Sequence, residues 1–193
     1  MKTADKIKNI FQTTGDSLAS IFKVALMSRR LSPSASRKDS TLIIMGNGPS
    51  LREAIDSHGD VLEKYDLLSV NFAPLSADFF SLRPEMHLLA DGVFFQPDAP
   101  GNVAEMWSAL SKADWRMSLY VPVKYRSCLA LKTLPSNIKV RYFNLTPASG
   151  WGWLVRRLFR SGLAMPRPRN VLVPSLMTAI REGYSRIVLT GAD

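Results

Sequence analysis

Leu42-Ile43-Ile44-Met45-Gly46-Asn47-Gly48-Pro49-Ser50-Leu51 is the stretch that decides the fold. Residues 41–45 form an apolar, β-branched run too short for a helix, so they read as a buried strand. Gly46 and Gly48 permit a tight turn and a close backbone approach that a side chain would block. Pro49 suits a helix start, where its missing N–H would have been unpaired anyway. A helix then runs from about residue 50 to residue 57. The free amides and positive end of such a helix suit a phosphate, and Asn47 both donates and accepts. The run matches neither the Walker pattern nor the dinucleotide fingerprint, because the lysine of the first and the third glycine of the second are absent. A purely structural strand-to-helix turn is the competing reading of these residues.

Outward from this stretch, strands and helices alternate. Further strands are expected at 67–71, 86–90, 117–121, 138–142 and 186–190, with helices at 76–81, 101–113, 151–161 and 173–183 between them. Apolar strands separated by helices predict a Rossmann-like α/β fold, a mostly parallel sheet with helices on both faces. In such sheets ligands bind beyond the carboxyl ends of the strands. Those ends carry Gly46–Ser50, Asn71, Asp91-Gly92 and Gly191-Ala192-Asp193, a constellation where any one alone would be a turn.

The 193 residues are 46% hydrophobic with a mean hydropathy of essentially zero, enough apolar mass for one core. No apolar run reaches the roughly 20 residues of a membrane span. The lone cysteine, Cys128, excludes an internal disulfide and suits a reducing, cytoplasmic setting; its simplest role is apolar filling. The net charge of +9 is uneven: residues 1–38 carry eight Lys/Arg against two acids. The charge therefore belongs mainly to the N-terminal tail. With no helix-turn-helix, zinc-finger or aromatic RNA-binding signature, no nucleic-acid partner is expected.

Residues 4–27 read as an amphipathic helix, with Ile7, Ile10, Phe11, Leu18, Ile21 and Phe22 at three- and four-residue steps and Gly15 as a candidate break. It either docks on its own domain or lies on an anionic membrane surface, here the inner face of the plasma membrane. Lys23 and the lack of a small-residue cleavage site argue against a secretory signal. Residues 31–40 form a polar Ser/Pro linker, giving a tail over 1–40 and a folded domain over 41–193. Trp151 and Trp153, followed by Arg156, Arg157, Arg160, Arg167 and Arg169, read as a solvated helix with a tryptophan-anchored face or as an anion-binding patch.

Residues 43–51 resemble the opening strand and loop of the small, metal-independent bacterial sialyltransferases and of the wider motility-associated-factor glycosyltransferase group. Asn71, Asp91 with Gly92-Val93-Phe94-Phe95, and the tail from Asn170 to Asp193 agree in order and approximate spacing. The resemblance implies transfer of sialic acid or a related nonulosonate from a nucleotide donor, CMP-linked, to a glycan or lipid-linked acceptor. Gly46, Asn47, Gly48, Pro49, Ser50, Asn71, Asp91, Asn170, Gly191 and Asp193 would then form the donor site, with no further cofactor and no metal. The sequence carries no Asp-x-Asp motif and no His/Cys cluster with ligand spacing.

Two departures stand out. The family's arginine before the penultimate helix has only Arg167 and Arg169 as counterparts. Its general base is a histidine beyond the final strand, whereas this chain stops at Asp193 and reads as truncated there. His58, at the end of the first helix, and His87, inside a strand, are the only histidines, so no catalytic residue is assigned. A pyrophosphokinase of the hydroxymethylpterin group and a non-catalytic membrane-peripheral protein of a polysaccharide locus are the alternatives.

Overall fold

The protein, seen in a computed structural model, is described over residues 3–31 and 38–193. Six strands, β1 (Lys38–Met45), β2 (Asp66–Val70), β3 (Met86–Leu88), β4 (Met117–Pro122), β5 (Ile138–Phe143) and β6 (Tyr184–Thr190), form one sheet in the order β5-β4-β3-β2-β1-β6. Every neighbouring pair is parallel. Alternation along the strands sorts side chains to two faces. Leu42 and Ile44 of β1, Leu68 and Val70 of β2 and Tyr120 of β4 pack on one face. Ile43, Met45 and Leu67, and farther along Leu119 and Val121, pack on the other. Leu42, Ile44, Leu68 and Val70 are wholly buried; removing such side chains from water contributes roughly 1.5–3 kcal/mol each.

Helices cover both faces. Leu51, Ile55 and Leu62 of α2 (Ser50–Leu62), Phe79 of α3 (Ala77–Leu82), and Val103, Met106 and Leu110 of α4 (Gly101–Leu110) fill one face. Leu172, Met177 and Ala179 of α6 (Leu172–Glu182) fill the other, and α5 (Gly152–Arg160) precedes α6. Helix α2 runs past its expected end because His58 is a kink inside it, with non-helical dihedrals, rather than a terminus. Short 3-10 turns at Ala73–Leu75, Gly92–Phe95, Val123–Tyr125 and Leu129–Lys132 carry no sequence periodicity and escape the sequence reading. Cys128 packs against the core as apolar filler.

The N-terminal helix α1 (Thr3–Met27) is unbroken at Gly15. Of the expected linker, residues 32–37 lie outside the described residues, while Lys38–Ser40 extend β1 instead. Strand β6 departs from the expectation of strands covered on both faces: it lies at the sheet edge, with Val188 and Leu189 exposed. In α5 the anchored residues are Leu154, Val155, Leu158 and Phe159, whereas Trp153 stands in solvent beside the arginines.

Candidate functional site

From β1 the chain steps outward through β2, β3 and β4 to β5, then returns to lay β6 on the other side of β1. The direction of winding reverses between β1 and β6, and such a switch point opens a crevice at the carboxyl ends of the strands. The loops that meet there are joined backbone to backbone. Gly46 N–H donates to the Thr190 carbonyl at 2.8 Å, and Gly48 N–H to the Gly191 carbonyl at 3.0 Å. A Cβ on Gly46 would strike the Gly191 carbonyl oxygen, and one on Gly48 the Asp193 carboxylate. Gly191 has φ +65°, and a Cβ there would meet Leu51 Cβ at 2.9 Å. Neither Gly46 nor Gly48 has a positive φ, so their smallness serves the approach of the β6 loop.

The helix start after this turn already holds an anion. Asp193 accepts from the Ser50 hydroxyl at 2.6 Å and faces the Ser50 amide at 3.3 and 3.4 Å. Ser50 Oγ in turn accepts from Gly191 N–H at 3.1 Å. The Ser50 hydroxyl holds the Asp193 carboxyl below the usual carboxylate range. Pro49 offers no side-chain cap to α2, so a residue at the far end of the sequence supplies it. A phosphate at this helix start would compete with Asp193.

Beside this junction lies a cleft of about 670 Å³. Gly46, Asn47, Gly48, Asn71, Asp91, Asn170, Gly191 and Asp193 all line it, while Pro49 and Ser50 do not. Asn71 ends β2 with φ 52°, a left-handed conformation that asparagine tolerates better than most residues. Its backbone N–H donates to the Leu88 carbonyl at 3.2 Å, but its side-chain Oδ1 is buried without a partner. An orphaned polar atom and a strained backbone thus coincide at the end of β2, beside the cleft. Because the two ends of an amide are assigned by their surroundings, the unpaired end serves a donor or an acceptor.

The other wall carries the positive charge. Arg169 lines the cleft, together with Val171 and Leu172 at the start of α6, while Arg167 does not. Asn170 Oδ1 accepts from Leu172 N–H at 3.2 Å and Val173 N–H at 3.4 Å, capping that helix. Arg169 and the positive end of α6 lie on this wall, with the Leu172 and Val173 amides already held by Asn170 and Pro174 carrying no N–H. The sequence reading placed the anion site at the start of α2 and counted Asn170 among the donor-site residues; Asn170 followed by an apolar helical run also carries the cap signature of α6. Asp91 caps the 3-10 turn that follows it through Val93 N–H at 3.1 Å; Gly92 is fixed by Tyr125, whose hydroxyl would lie 2.7 Å from a Cβ there.

Neither histidine reaches the cleft. His58 is exposed at the α2 kink. His87 is wholly buried, with Nδ1 2.8 Å from Ser69 Oγ and its ring edge-on to Phe79. Burial pushes its pKa down to about 3, so it is neutral at ordinary pH. Asp91 and Asp193 are not at neighbouring strand ends: β2 and β1 separate β3 from β6, roughly 14 Å across the sheet. Among the described residues, no group of three or more His, Cys, Asp or Glu is placed to hold a metal ion.

No protein-family model matches this chain, and no curated sequence matches it. In three dimensions it is similar to a MAf glycosyltransferase from Magnetospirillum magneticum AMB-1, with a TM-score of 0.53 and 15% identity. That superposition covers 95% of this chain and 28% of the larger protein. At this identity the likeness establishes a shared Rossmann-like α/β fold and no more.

Proposed function

We propose that this chain is the donor-nucleotide part of a glycosyltransferase, holding a nucleotide sugar in the cleft at the β1–β6 switch point. The observation that carries the reading is Asn71: a left-handed strand-end residue whose buried amide oxygen is unpaired beside the crevice. The donor phosphate lies against Arg169 and the first turn of α6. Asn47, Asn71 and Asp91 receive the ribose or sugar hydroxyls. The α2 start is not needed for phosphate, since Asp193 occupies it. As the bond to the sugar breaks, negative charge grows on the departing phosphate, where the Arg169 guanidinium and the positive end of the α6 dipole stabilise it. The donor is a CMP-linked nonulosonate, and the acceptor a cell-surface glycan or its lipid-linked precursor. No general base is assigned, because neither histidine lines the cleft.

Isothermal titration with CMP tests this. Wild-type protein binds, and Arg169→Ala and Asn71→Ala each weaken binding roughly ten-fold, about 1.4 kcal/mol. Absence of CMP binding, or binding indifferent to both substitutions, overturns the proposal. A preference for ATP that requires Mg²⁺ would instead favour pyrophosphoryl transfer.

A further inference from the structure

Helix α1 docks on the domain by its small polar side chains and turns its apolar stripe outward. Thr13, Ser17, Ser20, Val24 and Ser28 repeat at three- and four-residue steps on the inward face; all three serines are buried. Ser17 Oγ accepts from Trp151 N–H at 2.9 Å, Ser20 Oγ exchanges two hydrogen bonds with Ser149, and Ser28 Oγ donates to the Leu163 carbonyl at 2.6 Å. A Cβ on Gly150 would strike Ser17. About a third of a turn round the helix, Ile7, Phe11, Leu18, Phe22 and Leu26 are exposed, Phe11 at 74%. An amphipathic helix ordinarily presents that stripe to its own core; here the core side is taken by serines.

Ser17 meets Trp151, just before α5, and Ser28 meets Leu163, just past its end, so the two helices run in the same direction. Helix α5 adds Trp153, 62% exposed, and Arg156, Arg157 and Arg160. On α1 and just beyond it are Lys6, Lys8, Lys23, Arg29 and Arg30, all exposed. Aromatic and aliphatic side chains flanked by cations on a helix too polar to cross a membrane match the interface of an anionic bilayer, with apolar groups below the headgroups and cations among them.

We infer that α1, with the arginine face of α5, is a membrane-docking surface for anionic lipid. It stands independently of the nucleotide reading. Flotation of the full chain with vesicles tests it. Protein binds vesicles of equal parts phosphatidylcholine and phosphatidylglycerol, and roughly ten-fold less to pure phosphatidylcholine or at high salt. Phe11→Gln combined with Phe22→Gln abolishes binding with an unchanged melting temperature, since both side chains are exposed. Arg156→Gln with Arg157→Gln lowers only the preference for anionic vesicles. Failure to float with either vesicle, equal binding to both, or undiminished binding by the phenylalanine double variant overturns the inference. So does a wild-type dimer in analytical ultracentrifugation that the double variant converts to monomer, for the stripe would then belong to a second copy.

Discussion

At the scale of single residues, the two polar side chains Asn71 and His87 resolve in opposite ways. Asn71 is held in a left-handed conformation that costs a non-glycine residue about 1 kcal/mol, with a buried polar atom unpaired. Asn71→Gly therefore raises the unfolding free energy by about 0.5–1 kcal/mol while weakening CMP binding; denaturant unfolding and titration calorimetry on one preparation measure both. A variant that loses stability would make Asn71 a structural residue. His87 is a core residue. Its folded pKa, about 3, lies below the model-peptide value of 6.5, so the unfolded chain takes up a proton that the native protein refuses. Its contribution is complete above pH 6.5 and lost as pH falls towards 3, at about 1.4 kcal/mol per pH unit. His87→Gln flattens that acid limb in urea-unfolding measurements between pH 7 and 5; an unchanged slope contradicts the assignment. Asn71 was legible as a strand-end polar residue, whereas its backbone strain is a product of the fold.

At the scale of elements, the apolar runs and the helix-period segments between them placed every strand, and every long helix but the end of α2, to within a few residues, because local pattern and global packing agree here. What pattern could not convey is which partner each feature serves. Gly46 and Gly48 stand out in the sequence, yet the backbone that approaches them is the loop after β6, and the anion on α2 is Asp193, 143 residues from Ser50. Likewise the apolar stripe of α1 was plain, but serines, ordinarily read as the wet side, take the buried face. Gly46→Ala drives a methyl group into a backbone carbonyl and costs about 3 kcal/mol. Gly59→Ala, in the same strand-and-helix unit with open space around it, stabilises by about 0.5–1 kcal/mol. Opposite signs in thermal unfolding support the loop junction; equal effects contradict it.

At the scale of the whole molecule, the decisive fact is the direction in which the chain returns. Winding outward to β5 and closing with β6 against β1 brings the first and last segments of the sheet into one junction and opens the cleft beside it. The sequence showed polar residues at the strand ends without the strand order, so the separation of Asp91 from Asp193 by β2 and β1, and the capping of the α2 start by Asp193, emerge only from the fold. The central claim is that this cleft takes a nucleotide. Amide chemical shifts of the isotopically labelled chain, followed through a titration with CMP, test it directly. Saturable shifts concentrated at Asn71, Asp91–Gly92, Asn170–Leu172 and Gly191 are predicted. Shifts confined elsewhere, for instance to β5 and the C-terminal turn of α6, or none at all, would contradict it.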